Sequence, residues 1–118
     1  MINQSGNNGK LLIVWSSGDI EVAKKMVLLY ASVMMPRGYW SEAMLMIWGP
    51  SAKLLAENLE LQEKIKEIKK TGVIVNACVV CSDEYGVSDT LKAIGVELVH
   101  TGEYLTNYLK DGWNVITL

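Results

Sequence analysis

Short apolar runs alternate with longer amphipathic stretches along this chain. Leu11–Trp15 (LLIVW), Ala43–Trp48 (AMLMIW), Val73–Ala77 (VIVNA), Val96–Val99 (VELV) and Trp113–Leu118 (WNVITL) have the length and β-branched content of buried strands. Between them lie helical patterns. Ser16-Ser17-Gly18-Asp19 breaks the first strand and offers caps for a helix from about Ile20 to Met35, which stops before Pro36-Arg37-Gly38. Gly49-Pro50 closes the second strand, and helical sequence resumes from Ser51 to Lys70, in one piece or two. Leu61, Ile65 and Ile68 share one face of its second half, with Glu and Lys on the other. A short helix near Val87–Ile94 is stopped by Gly95. Thr101 is placed to cap a last helix reaching Lys110, which Asp111-Gly112 terminates. Strands separated by helices over short connections predict an α/β layer structure with a five-stranded, mainly parallel sheet. Residues 10–118 read as one domain, and residues 1–9 (MINQSGNNG) as a flexible lead-in.

The first helix has two apolar faces rather than one. Ile20, Ala23, Val27, Ala31 and Met34 form the first, and Val22, Met26, Leu29 and Val33 the second. Its only charges, Glu21, Lys24 and Lys25, lie in the first turns. A sheet covers one side of such a helix, so the pattern predicts a second subunit over the rest.

Size and charge narrow the class. The chain has 118 residues, half of them apolar, and is long enough to bury a core without metal or disulfide support. A formal net charge of −2, with lysines interspersed among acids, points away from nucleic acid and anionic membranes as partners. The uncharged stretches Met26–Pro36 and Thr71–Ser82 fall short of the roughly 20 residues of a membrane span. No secretory-signal pattern is read at the N-terminus, and two cysteines in that setting are expected as reduced thiols in a cytoplasmic protein.

Those cysteines carry the candidate chemistry. In Val73–Gly86 (VIVNACVVCSDEYG) the apolar strand ends at Cys78, and Cys81, Asp83, Glu84, Tyr85 and Gly86 follow in what reads as a loop. The carboxyl end of a parallel strand is a usual place for a reactive group. Backbone N–H groups after the strand lower a thiol's pKa, whereas Asp83 and Glu84 oppose this. The plainer reading of Cys78 is a small buried hydrophobe. A thioredoxin-type redox dithiol is disfavoured, because Val79-Val80 replaces the usual Gly-Pro turn. A Cys78–Cys81 disulfide stays open as a resolving step.

Other chemistries find fewer residues. Structural zinc needs four ligands, and His100 with the two cysteines leaves one missing, so His100 reads as a strand-end residue bonded to backbone. Gly6-Asn7-Asn8-Gly9-Lys10 precedes a strand where a P-loop must follow one, and Ser16–Asp19 lacks a dinucleotide fingerprint. No cofactor and no metal are expected. Glu60 and Lys64, at i,i+4, read as a solvated helix face, and Trp40, Trp48 and Trp113 as core or interface. Tyr85 is the aromatic residue expected beside the site.

Ala77-Cys78-Val79-Val80-Cys81-Ser82-Asp83-Glu84-Tyr85-Gly86 resembles the DsrE/DsrF-like proteins, in which an apolar strand ends in a cysteine and a glycine follows about eight positions later. The order of elements over residues 10–118 agrees. The resemblance implies a three-layer α/β/α fold assembled into trimers or hexamers. It also implies a sulfur-relay role, with Cys78 accepting a persulfide sulfur from a donor protein and passing it to an acceptor protein. Cys81 would be a resolving thiol or second acceptor, Asp83 would tune the pair, and Gly86 would allow the turn into the next helix. The acidic Ser82-Asp83-Glu84 departs from the basic surroundings usual in relay members. The alternative is a non-catalytic assembly or small-ligand-binding module whose cysteines are packing residues.

Overall fold

The computed structural model describes residues 9–118. The lead-in and the glycine pair expected over residues 1–9 therefore lie, apart from Gly9, outside the described residues. Five strands, β1 (Lys10–Trp15), β2 (Glu42–Ile47), β3 (Ile74–Cys78), β4 (Glu97–Val99) and β5 (Asn114–Thr117), form one sheet in the order β4-β3-β2-β1-β5. Each pairing is parallel, so the sheet is wholly rather than mainly parallel.

The connections are helical. The first begins as α1 (Ile20–Val22), widens into a π-helical turn over Ala23–Val27 and continues as α2 (Leu28–Val33). Asp19 caps it by accepting from the backbone N–H groups of Glu21 and Val22 at 2.7 and 3.0 Å. The second comes in two pieces, α3 (Pro50–Ala56) and α4 (Leu59–Lys70), separated where Asn58 caps α4. The segment after β3 is helical at once, as α5 (Val79–Tyr85), followed by α6 (Ser88–Ala93). The loop expected over Cys78–Gly86 does not exist: Cys78 is at once the last strand residue and the cap of α5. Gly86, at φ 71°, ends that helix and lets the chain turn into α6. The last crossover is α7 (Thr101–Lys110).

Strand alternation sorts the core into two unequal layers. Leu11, Ile13 and Trp15 of β1 and Ala43, Leu45 and Ile47 of β2 face the helices α1–α6, where Val27, Ala31, Leu55, Leu61, Ile65 and Ile68 are buried against them. Leu12, Val14, Met44 and Met46 face the other way, onto Tyr104, Leu105 and Tyr108 of α7 and the ring of Trp113. The topology explains the imbalance. β1 to β4 step in one direction, so right-handed crossovers stack their helices on one face. Only the return from β4 to β5 places a helix on the other.

Two local features follow from this packing. Glu60 reaches across to Lys24 on the neighbouring helix at 2.7 Å instead of pairing with Lys64, because α4 packs against α2 and brings the two charges together. On the first helix, Ala23, Val27, Ala31 and Met34 are buried, while Met26 and Leu29 are more than half exposed. The doubled apolar face is therefore real. Tyr30 and Tyr39 stack beside it with ring centroids 6.2 Å apart.

Leu45 is fully buried in the middle of the larger layer, whereas Ile116 on the edge strand is 44% exposed. Leu45→Ala should lower the unfolding free energy by about 2–5 kcal/mol, and Ile116→Ala by well under half of that, in urea denaturation followed by circular dichroism.

Candidate functional site

Because the strands run the same way, their carboxyl ends meet at one edge of the sheet. Ile47 pairs with Ala77 and Cys78 with Val99, so Trp48, Cys78 and His100 lie at or just past the ends of three adjacent strands. Alternation then selects a face. Met44, Met46 and Trp48 belong to the α7 layer. Asn76, two residues before Cys78, points the same way and donates from Nδ2 to Met44 Sδ at 3.5 Å. Cys78 shares that face.

A cavity of about 410 Å³ opens there. Trp48 and Val80 supply apolar wall, and Cys78 and Cys81 present their thiols. His100, Thr101, Gly102 and Glu103, at the start of α7, close the other side. Cys78 is 5% exposed, Cys81 is half-buried, and neither is in a disulfide. The two cysteines of the sequence motif thus come together with His100, and the helix start adds Thr101 to them.

Several donors converge on Cys78. The Cys81 backbone N–H donates to Cys78 Sγ at 3.5 Å. Thr101 is 1% exposed and its Oγ1 has no hydrogen-bond partner at standard distance, although it faces the Cys78 sulfur. Burial pushes the Cys78 thiol up, but Thr101, the backbone and thiol of Cys81 and the Val80 backbone together outweigh it, so its pKa lies below the ordinary thiol range. Cys81 goes the other way. Burial raises it first, then the neighbouring Cys78 and the Glu84 charge, and the backbone N–H of Gly49 compensates only partly. Gly49 sits at φ 82° just past β2, a left-handed conformation that a side-chain-bearing residue takes at a cost. Of the acidic stretch, Glu84 is the residue that acts on Cys81.

Other expected site residues lie elsewhere. Asp83 Oδ1 accepts from Ser88 Oγ at 2.5 Å, and Ser88 Oγ in turn meets Ser82 Oγ at 2.7 Å, a chain that fastens α5 to α6 away from the sulfurs. Tyr85 is 41% exposed and is not part of the cavity wall, because it falls on the solvent side of α5. Gly86 shapes the end of α5 rather than the site. The backbone of His100 caps α7, its carbonyl accepting from Glu103 and Tyr104. The cap expected of Thr101 is not made: Thr101 is the first helical residue, and its hydroxyl is turned inward. Trp48, Gly49 and Thr101 are the residues that motif reading missed. Their signal is positional, since each stands within two residues of a strand's carboxyl end.

Among the described residues no cluster of three or more His, Cys, Asp or Glu has the placement to hold a metal ion. No described helix is long and apolar enough to cross a membrane.

Comparison with known proteins agrees with this architecture. The model of the DsrE/DsrF-like family matches residues 20–118. The conserved protein of unknown function BT1422 from Bacteroides thetaiotaomicron superposes with a TM-score of 0.91 at 30% identity, over 98% of this chain and 100% of that one. The protein of unknown function MTH1491 from Methanobacterium thermoautotrophicum gives 0.69 at 19% identity, over 92% and 98%. The ychN protein of E. coli gives 0.69 at 18% identity over the same shares. These last two share the fold. No curated protein matches the chain.

The geometry around Cys78 yields a pH test. Alkylation of Cys78, measured in Cys81→Ser, should persist to lower pH than alkylation of Cys81 in Cys78→Ser, since a lowered pKa keeps the thiolate present as pH falls. Thr101→Val should move the Cys78 profile to higher pH and slow alkylation severalfold at neutral pH, and Thr101→Ser should restore it.

Proposed function

Because the chain belongs to the DsrE/DsrF-like family, we propose that it is a sulfur carrier that accepts a persulfide sulfur on Cys78 and hands it to a second protein. The observation that carries this reading is the convergence of hydrogen-bond donors on one strand-end thiol at the wall of an open cavity. A relay cysteine must attack as a thiolate, so it needs stabilised negative charge and access to the donor's sulfur. Cys78 has both.

The step is a thiol exchange. The Cys78 thiolate attacks the outer sulfur of a donor persulfide, the S–S bond of the donor breaks, and the donor leaves as a thiolate. Cys78 then carries the outer sulfur, which stands in the cavity between Trp48 and the start of α7. An acceptor thiolate repeats the exchange. No metal, nucleotide or other cofactor enters either step. The partners are a sulfur-donor and a sulfur-acceptor protein, and a cytoplasmic location, where thiols stay reduced, suits this chemistry.

Loading separates this reading from a module with packing cysteines. Cys81→Ser, in which Cys78 is the remaining thiol, should gain one sulfur, about 32 Da by intact mass, from a small persulfide and lose it to reductant. Cys78→Ser should gain nothing. Loading of Cys78→Ser alone would transfer the role to Cys81, and loading of neither would remove the carrier reading.

The assembly is a homo-oligomer, trimeric or hexameric, built over the exposed strip of the first helix. Met26, Leu29, Tyr30 and Tyr39 leave contiguous apolar surface there, which water disfavours. Leu29→Glu should lower the mass seen by light scattering while preserving the circular dichroism spectrum. A monomeric wild type in dilute solution would refute the assembly.

A further inference from the structure

A sulfur held on Cys78 stands within reach of a second thiol that the carrier step leaves unused. Cys81 follows one helical turn later, its backbone N–H already meets Cys78 Sγ, and both sulfurs face the same cavity. Neither is engaged in a disulfide. Across the cavity, α7 begins with Thr101, whose buried hydroxyl has no partner at standard distance. The His100 carbonyl takes the N–H of Glu103, so the first turn of α7 offers the backbone N–H groups of Thr101 and Gly102. A sulfur projecting from Cys78 thus has Cys81 approaching from α5 and polar hydrogens of the start of α7 across the cavity, a combination suited to receiving an anionic sulfur as it departs.

We propose that the protein has a second activity, reductive discharge: Cys81 attacks Cys78 persulfide, expels the carried sulfur as hydrosulfide and leaves a Cys78–Cys81 disulfide. This rests on the carrier reading, because the persulfide on Cys78 is its substrate. In the step, Cys81 Sγ bonds to Cys78 Sγ, and the bond from Cys78 Sγ to the outer sulfur breaks with its electron pair going to the outer sulfur. The Cys81 thiol proton passes to the outer sulfur, which leaves as hydrosulfide. The sulfane sulfur takes up two electrons, which the two cysteines give up in forming the disulfide. A dithiol reductant, small-molecule or protein, reopens the disulfide for another turnover.

The electrostatics order the two events. While Cys78 is an unloaded thiolate, it is among the causes that hold the Cys81 thiol above its ordinary range. Once loaded, the negative charge moves one bond outward onto the terminal sulfur. The repulsion at Cys81 weakens, and Cys81 ionises more readily when its target has formed. An acceptor protein competes with Cys81 for the same persulfide, so discharge is the outlet taken when no acceptor is docked.

The test uses the fully reduced, full-length protein, mixed with one equivalent of glutathione persulfide and followed by a sulfide electrode and intact mass. Wild type should release about one equivalent of sulfide per chain without added reductant, and its mass should settle about 2 Da below the reduced chain. Cys81→Ser should keep the gain of one sulfur and release none. Wild type that holds the added sulfur stably, with no sulfide above the Cys78→Ser control, would overturn discharge and leave the carrier intact. Wild type that neither gains sulfur nor releases sulfide would overturn both, a readout independent of whether any variant folds.

Discussion

The same-direction run of all five strands is the constraint on which everything else rests. A parallel sheet cannot be closed by hairpins, so each strand must return through a helix, and each return begins at the same edge. Three consecutive returns bring the residues after β2, β3 and β4 side by side. The pairing of Ile47 with Ala77 and of Cys78 with Val99 fixes their relative height. A one-residue slip of β3 would turn Cys78 toward α1–α6 and away from the cavity. The site therefore depends on register as much as on the identity of its residues.

The two layers divide the work. The larger one buries Leu45, Ile47, Val27 and Ile65 and accounts for most of the apolar core. The smaller one, under α7 alone, leaves room at its upper end, where Trp48 and the start of α7 stand apart around the sulfurs. A second helix on that face would fill the space that the cavity occupies. Strand order, by placing a single crossover there, keeps the thiol reachable although Cys78 itself is almost wholly buried.

Much of this was legible in the chain. Apolar runs at 11–15, 43–48 and 73–77 marked the central strands because a parallel strand buried on both faces has no polar alternation to blur it. The doubled apolar face of the first helix was also readable, as Met26 and Leu29 attest. The order of the strands was not, since pattern does not say which neighbours pair. Nor was the helix that begins at Val79: Val-Val has modest helical propensity, and Asp83-Glu84-Tyr85-Gly86 resembles a turn. Packing of α5 against α3 and α6 overrides that preference. The error mattered for chemistry. A loop would have turned its acids toward either sulfur, whereas helical geometry fixes Asp83 on Ser88 and lets Glu84 act on Cys81.

The strand order has a consequence for the chain as it is synthesised. β1, β2, β3 and β4 lie side by side in the order in which they are translated, so each new strand has its partner waiting. β5 is the exception: it pairs with β1, and Ser16 reaches Leu118 through both its backbone N–H and its hydroxyl. Until α7 and β5 emerge, the nascent sheet keeps one open edge on β1 and one uncovered face. That face carries Cys78. The thiol is thus bare to oxidants on the ribosome for as long as the wall begun by Thr101 has not yet been made, and a chaperone holding the chain at that stage would be guarding the cysteine as well as the fold.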